Sequence, residues 1–342
     1  MDVATHALAS LTLARAIVPR APRISWAVAI FAGTVADLDF ISAYFGPSAY
    51  FAWHRTYLHS IFASLFFAAA ISLLYRVLAP KPTQERFSFF AAFVTAMLAQ
   101  WLHLAMDACQ WQGVALFWPF SARRLATDWL ANVDPWTIVI IVVSLALPEL
   151  LHLVSAEIGA RDKKPRGRAA AILAFALVVI YIGTRATLHS NVIATLEART
   201  YGGESPRRAG AFPETTSPFV WHCLVDTESA IHQITASVAP GASFDPERSV
   251  NLFKPEPTPM LDAARNTPAV KQFLSVARFP KATVQKTPSG YEVKFRDLQY
   301  AAAGEDQREV VAVVNLDESS KVLSGELRWA TQSAQHPVAA AF

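Results

Sequence analysis

Long apolar runs alternate with short charged connections along the first 190 residues of the chain. A membrane-spanning helix needs about 20 predominantly apolar residues, and several of these runs reach that length. The strong runs cover Leu58–Ala79, Phe87–Met106, Thr137–Ala156 and Ala169–Leu188. Two weaker runs, Thr5–Val18 and Ile24–Tyr44, precede them and are interrupted by polar residues. The pattern predicts a multi-helix transmembrane domain over residues 1–190.

The charged connections predict how these runs are oriented. Arginine and lysine concentrate in every second connection, within Arg15–Arg23, Arg76–Arg86 and Arg161–Arg168. Cytoplasmic loops of membrane proteins carry this excess, so these three are expected to be cytoplasmic. The other connections are then extracytoplasmic, and the ends of four apolar runs that carry His and Asp residues should meet on that outer face.

The pattern changes after about residue 190, where polar residues become frequent. Residues 191–218 are rich in Pro and Gly and predict a linker. Alternating residues in "SPFVWHCLVD" predict a strand, and "KATVQKTPSGYEVKFRDL" and "EVVAVVNLDESSKVLSGELRWA" predict two hairpins. "LDAARNTPAVKQFLSVARF" favours a helix. The predicted fold is mainly α, with a transmembrane domain followed by an extracytoplasmic α+β domain over residues 219–342.

Composition supports a membrane protein and argues against other classes. Hydrophobic residues make up 53% of the chain and charged residues only 17%, which is unusual for a soluble protein. The net charge is +3, and no basic stripe of the kind that follows phosphates is present, so nucleic acid is not an expected partner. The first residues carry no basic segment, so no cleaved signal peptide is expected. The bilayer is the expected partner, and the oligomeric state is left open.

His103 and Asp107 stand four residues apart at the end of an apolar run. On a helix this spacing places both side chains on one face, where they can ligate one divalent metal or orient each other. The alternative is a hydrogen bond that joins two helices. Ionisable groups within membrane segments are costly and usually functional, which favours the metal hypothesis.

Further candidate ligands lie near the predicted outer face. They are His6, Asp37, Asp39, His54 and His59. The sequence does not decide whether Asp37, Asp39 or both are ligands, or whether His54, His59 or both are. The alternative to metal binding is that the acids lie at a helix end that reaches water and the histidines lie at the depth of the lipid headgroups. Imidazoles and carboxylates together suit zinc or manganese, so such an ion is the expected cofactor. Three or more protein ligands and one open position would give a hydrolytic site in which Asp37 or Asp39 serves as general base.

Several nearby residues could bind a substrate. Arg55 follows His54 directly, and its guanidinium matches a phosphate or carboxylate group. Arg123, Arg124 and Trp118 lie in the aromatic-rich connection after Asp107. Aromatic residues at such a place usually anchor a membrane interface, and they can equally form the rim of a lipid-binding site.

Four motifs occur in a characteristic order: "ADLDF", "HRTYLHS", "HLAMD" and "GVALFWPFS". Together they resemble the YdjM-like family of membrane-bound metal-dependent hydrolases, over about residues 1–190. That family is distantly similar to zinc-dependent phospholipases C and fungal zinc nucleases. The resemblance implies that His6, Asp37 or Asp39, His54 or His59, His103 and Asp107 are zinc ligands. The second His-rich stretch of those soluble enzymes is missing here, so one or two ions are expected rather than three.

The sequence therefore predicts a bacterial inner-membrane hydrolase that cleaves a lipid or lipid-linked phosphoester at the outer face. The alternative is a protein without catalytic activity, either a metal-binding or assembly protein or a transporter. A transporter needs a polar path across the membrane, and away from the outer face only Gln100 and Glu149 are polar candidates.

Overall fold

A computed structural model describes residues 1–157, 167–242, 244–303 and 309–331. The chain divides into two compact units. The helical unit comprises Met1–Phe40 and His54–Ala186, and the mixed unit comprises Ile41–Trp53 and Thr187–Phe342. Most of the basic connection predicted to be cytoplasmic, at 161–166, lies outside the described residues.

Helices dominate the first part of the chain. They are α1 (Val3–Ile17), α2 (Ile24–Thr34), α3 (Pro47–Trp53), α4 (Ile61–Leu78), α5 (Lys81–Arg86), α6 (Phe89–Ala108), α7 (Pro135–Glu157) and α8 (Arg168–Glu197). A 3-10 segment, Val35–Phe45, continues α2. Within the described residues, five helical stretches are long and apolar enough to cross a membrane, and α1 is a shorter apolar helix.

The predicted spans are largely confirmed. All four strong runs form long apolar helices, and the weaker run at Ile24–Tyr44 becomes a fifth candidate span, Ile24–Phe45. Serine caps begin two of these helices, because Ser60 accepts the N–H of Ala63 and Ser88 accepts that of Ala91.

Small residues form the core of the helical unit. Ala29, Ala32, Ala68, Ala92 and Ala96 are buried where α2, α4 and α6 pack together. Alanine lets helix backbones approach closely, which is how helices pack within membranes. This close packing holds α6 against α2 and α4.

The mixed unit contains two antiparallel four-stranded sheets. Their strand orders are β1-β2-β3-β4 and β5-β6-β7-β8. The strands are β1 (Arg208–Pro213), β2 (Val220–Asp226), β3 (Ala230–Ser237), β4 (Val250–Phe253), β5 (Pro280–Thr287), β6 (Gly290–Asp297), β7 (Glu309–Leu316) and β8 (Val322–Ala330). Among the described residues, three short α-helices lie between these strands: α9 (Pro259–Arg265), α10 (Pro268–Leu274) and α11 (Gln299–Ala302).

The predicted strand and both predicted hairpins are confirmed as β2, β5–β6 and β7–β8. The helical stretch forms two helices rather than one, because Thr267 caps α10 and Pro268 occupies its first turn. The structure differs from the predicted linker over 191–218, since α8 continues to Glu197 and β1 pairs with β2. β1 is short and ends in proline, so its sequence resembles a loop although Ala211 and Phe212 are fully buried.

One segment from the first half of the chain belongs to the mixed unit. Phe51 in α3 packs in the core formed with Phe273 of α10 and Val293 of β6. Its ring stacks on Phe273 with centroids 5.8 Å apart. Residues 41–53, which join Asp39 to His54 along the chain, are therefore part of this unit rather than of the helical unit.

Candidate metal centre

Four chain segments of the helical unit bring ionisable side chains together. The residues are His6 in α1, Asp37 and Asp39 in the 3-10 segment, His59 just before α4, and His103 and Asp107 in α6. Asp37, His59, His103 and Asp107 each offer one ligand atom, and these atoms lie within 4.8 Å of one another. The convergence predicted from the alternating loop charges is thus present in the structure.

Three imidazoles point the same ring nitrogen at one carboxylate. The Nε2 atoms of His59 and His103 lie 3.3 and 3.4 Å from Oδ2 of Asp107, and Nε2 of His6 lies 3.4 Å from Oδ1. Ligand atoms at zinc–nitrogen and zinc–oxygen distances around a tetrahedral ion stand about 3.4 Å apart. The spacing of these atoms therefore suits a divalent cation.

The opposite nitrogen of each ring faces an acceptor. Nδ1 of His6 lies 3.2 Å from Oδ2 of Asp37, and Nδ1 of His59 lies 2.9 Å from Oδ2 of Asp39. Nδ1 of His103 donates to the carbonyl oxygen of Gly33 at 2.8 Å. Metal-binding histidines usually donate from the far nitrogen, which fixes the tautomer and turns the other nitrogen toward the metal, and His6 and His103 have hydrogen bonds of this kind.

Several atoms that face each other here have no hydrogen bond within the described part of the chain. They are Nε2 of His6, His59 and His103, together with Oδ2 of Asp107, and all are buried. Leaving one such atom buried and unpaired costs about 1–3 kcal/mol. A bound cation would satisfy all of them at once, so the residues present fit a divalent metal ion.

The charge of His59 depends on the same neighbours. Burial alone lowers the pKa of this imidazole, but contacts with Asp107 and Asp39 outweigh burial and raise it to about 9. For His54, burial is the larger effect and the pKa falls below its ordinary value. A metal ion and a proton compete for the same imidazole nitrogen, so a cation bound to His59 would take the place of a proton there.

A close helix contact places the acceptor of His103. A Cβ atom on Gly33 would stand 1.8 Å from Oγ of Ser10 in α1. Only glycine allows α2 to approach α1 this closely, because any other side chain would overlap Ser10. The sequence signal for this contact is a single glycine in an apolar run.

The connection between α6 and α7 donates hydrogen bonds to the backbone of His54 and Arg55, just before α4. Ala115 N–H donates to the carbonyl oxygen of Arg55 at 3.1 Å, and Nη2 of Arg124 donates to that of His54 at 2.8 Å. Arg55 has a φ of +58°, which is uncommon for a residue other than glycine. Its N–H donates to Oδ2 of Asp39 at 2.7 Å, so three contacts hold this backbone.

The side chain of Arg55 reaches the converging imidazoles. Its Nη2 lies 3.2 Å from Oδ1 of Asp107 and donates to Oε1 of Gln110 at 2.8 Å. The amine of Met1 also contacts both Asp107 and Gln110. Nε and Nη1 of Arg55 are buried and have no hydrogen-bond partner among the described residues. Two N–H groups of a guanidinium beside a candidate cation site suit an anionic ligand.

Comparison with known proteins identifies the family of the N-terminal part of the chain. Residues 1–192 match the model of the YdjM inner membrane protein family. The chain belongs to this family. Residues 259–336 match the YfhP C-terminal alpha/beta plait domain. The chain is 23% identical over 352 residues to the uncharacterized protein YfhP of Bacillus subtilis (strain 168), covering 96% of this chain and 95% of that one. No solved structure matches.

The remaining predicted site residues of this YdjM-family chain have different surroundings. His54 lies against Asp39, 2.9 Å from its Oδ1, and is outside the group that shares the 4.8 Å spacing. Arg124 holds the backbone of His54, whereas the side chain of Arg123 is exposed. Trp118 packs edge-on against Tyr57. Their roles as ligands or substrate-binding residues stay predictions.

Two contributors to this YdjM-family centre were absent from the sequence-based set. Gln110 accepts from Arg55 and donates to the carbonyl oxygen of Ala131 at 3.2 Å. Gly33 supplies the acceptor for His103. A polar residue three positions after Asp107 was a signal for Gln110, and the single glycine in an apolar run marks a close helix contact without showing that the carbonyl of Gly33 accepts from His103.

Proposed function

We propose that this YdjM-family chain is a membrane hydrolase that uses a divalent cation, zinc or manganese, to cleave a phosphoester of a lipid or lipid-linked substrate. One arrangement of side chains, with two features, carries the proposal. Three imidazole Nε2 atoms surround the carboxylate of Asp107, and the unpaired N–H groups of Arg55 lie beside it. The first feature suits one or two cations, and the second suits the anionic group of a substrate.

The residues divide into those that hold the cation and those that position them. His6, His59, His103 and Asp107 would hold the cation, with Asp37 as a further candidate. When bound, a cation at such a site acts as a Lewis acid that activates water and offsets phosphoryl charge. Asp39 orients His54 and His59 and accepts the N–H of Arg55, so its role is positional.

Two side chains would act on the substrate directly. The Nε and Nη1 atoms of Arg55 would donate to phosphate oxygens. Negative charge develops on these oxygens during hydrolysis, and a donor that is already in position lowers the activation barrier by stabilising it. The side chain of Asp37 is 15% exposed, more than those of His6, His103 and Asp107. Asp37 is therefore the carboxylate best placed to accept a proton from an incoming water.

Membrane surroundings support a lipid-like substrate. Phe117 and Phe120 are exposed on the connection that fastens Arg55, next to Trp118, and aromatic side chains of this kind favour the bilayer interface. The alternating loop charges support an extracytoplasmic position for the centre.

A metal-binding or assembly protein without catalytic activity is the second candidate. The full burial of the His59 and Asp107 side chains favours it, because closed sites are typical of structural metals. Transport has less support, since Gln100 donates to the carbonyl of Ser64 and Glu149 pairs with Arg15, so both polar groups join helices.

The deciding experiment is hydrolysis by the full chain, purified in detergent, loaded with zinc or manganese and given a panel of phospholipids and lipid diphosphates. The Arg55→Gln variant tests the anion contact, and Arg76→Gln, at an exposed residue near the end of α4, is the matched control. We expect Arg55→Gln to retain metal and lose about 100- to 1,000-fold in kcat, while the control keeps full rate. Stoichiometric metal without turnover on any substrate would favour the second candidate.

A further inference from the structure

A second polar feature lies at the other end of the helical unit. A cavity of about 300 Å³ opens where α1 ends and α6 begins, lined in part by Ile17, Phe87 and Ala91. His6 and Asp107 lie at the opposite ends of these helices. At 1.5 Å per residue, the 20 residues of α6 span about 30 Å, so the cavity is remote from the metal centre.

Three arginines line this cavity. They are Arg20 after α1, Arg86 at the end of α5, and Arg168 at the start of α8. No acidic residue is among the lining residues, and within the described part of the chain none of the three forms an ion pair with a carboxylate. The three residues are exposed, and their like charges around one cavity attract an anion.

Part of the basic cluster is held in place. Nε of Arg168 donates to the carbonyl oxygen of Ala16, the residue before the last one of α1. This contact joins α8 to the wall of the cavity, and within the described part of the chain the other N–H groups of that guanidinium make no further hydrogen bond. Planar guanidinium groups bind phosphate oxygens in pairs, which a lysine cannot do.

Apolar residues line the cavity beside the arginines, and they favour one class of ligand. Phe87 is buried against the core of the helical unit, and Ile17 is partly exposed beside it. A free phosphate ion gains nothing from an apolar wall, whereas a phospholipid places an acyl or glycerol region next to its phosphate. Basic pockets between membrane helices on the cytoplasmic side bind anionic headgroups.

We propose that this cavity binds the phosphate group of an anionic phospholipid. The positive-inside rule accounts for basic residues in these connections but not for their grouping around one cavity. Arg23 and Arg76, in the same connections, do not line it. The proposal is independent of the hydrolytic centre, because none of its residues contacts the His and Asp residues there.

The test is native mass spectrometry of the full chain in detergent with phosphatidylglycerol, phosphatidylcholine or inorganic phosphate added. The triple variant Arg20→Gln, Arg86→Gln, Arg168→Gln removes the cavity charges. The triple variant Arg23→Gln, Arg76→Gln, Lys81→Gln removes the same number of charges from two of the three connections, at residues that do not line the cavity, and is the control. We expect phosphatidylglycerol to bind about 100-fold more weakly to the first variant and with little change to the second.

The outcomes separate the possible sources of the phosphate. Displacement of the lipid by inorganic phosphate would support the phosphate contact and show that a soluble anion can also occupy the cavity. Equal binding of both lipids to the unaltered chain, or equal loss in both triple variants, would overturn the proposal. Should the triple variants not fold, Arg86→Gln against Arg76→Gln gives the same comparison, with an expected loss of about 5-fold in the first alone.

Discussion

Nδ1 of His103 donates to the carbonyl oxygen of Gly33 at 2.8 Å, across 70 positions of sequence. A carbonyl oxygen only accepts, so Nδ1 carries the proton and Nε2 of the neutral ring is left without one. That Nε2 faces Asp107 at 3.4 Å. The atom that His103 offers to a cation is thus set by a backbone contact, which depends on the close approach of α1 and α2.

Replacing Gly33 tests this dependence. In Gly33→Ala the new Cβ would overlap Oγ of Ser10, so α2 must shift from α1. We expect a loss of about 1–3 kcal/mol in the free energy of unfolding from overpacking. Metal affinity should fall as well, because His103 loses its acceptor. Thermal unfolding in detergent and metal titration measure the two effects.

The control for Gly33→Ala is a second substitution that removes the overlap with the side chain of Ser10. Ser10→Gly deletes both atoms that the new Cβ would meet, Oγ and Cβ of Ser10. Added to Gly33→Ala, it should restore metal affinity, although glycine within a helix costs about 1 kcal/mol of stability by itself. A double variant with metal affinity as low as that of Gly33→Ala would argue against the steric explanation.

Asp39→Asn tests the positioning of the histidines. Asp39 contacts Nδ1 of both His54 and His59 and accepts the N–H of Arg55. The amide keeps the shape but loses the charge and can offer an N–H where an oxygen is needed. We expect metal affinity to fall about 10- to 100-fold, as is typical when a partner of a metal-binding histidine is changed.

Asp134→Asn is the matched control for Asp39→Asn. Asp134 is also a buried carboxylate of the helical unit, but it accepts the N–H of Thr137 at 2.8 Å and the hydroxyl of Tyr181 at 3.0 Å. This variant should lower the unfolding temperature and leave metal affinity unchanged. Equal loss of metal in both variants would mean that general destabilisation explains the result.

Phe51→Ala tests the assignment of residues 41–53 to the mixed unit. Phe51 is buried in that core and stacks on Phe273. Truncating a buried phenylalanine costs about 3–5 kcal/mol, so the β-rich unit should unfold at a lower temperature. Phe45→Ala, at a residue 69% exposed in the same segment, should change the unfolding temperature little. Hydrogen exchange of β6 and β7 amides would locate the effect.

The sequence predicted that the helix ends carrying the His and Asp residues would meet, because two local signals were enough for this prediction. Loop charges gave the direction of each apolar run, and the spacing of His103 and Asp107 placed both on one helix face. The alternatives for the paired residues could not be decided this way. His54 and His59 are both polar positions before α4, and only packing turns His59 rather than His54 toward Asp107.

Other features had no local signal. The 3-10 segment runs into residues 41–53, whose apolar side chains fit a lipid-facing loop as well as the core of the mixed unit. β3 and β4 lie between polar turns, and their pairing depends on contacts with β2. Context overrides intrinsic strand preference in such cases, because burial is decided by neighbours distant in sequence.

The central claim is that the converging His and Asp side chains bind a metal ion, and metal content tests it most directly. The full chain would be purified in detergent and measured by inductively coupled plasma mass spectrometry, beside His103→Ala and Gln100→Ala. Gln100 is a second buried polar residue of α6, and it bonds to the carbonyl of Ser64, so it controls for damage to the helix. We predict stoichiometric zinc or manganese in the unaltered chain and in Gln100→Ala, with loss in His103→Ala. An unaltered chain that holds no metal even after reloading, or equal metal in all three proteins, would contradict the account.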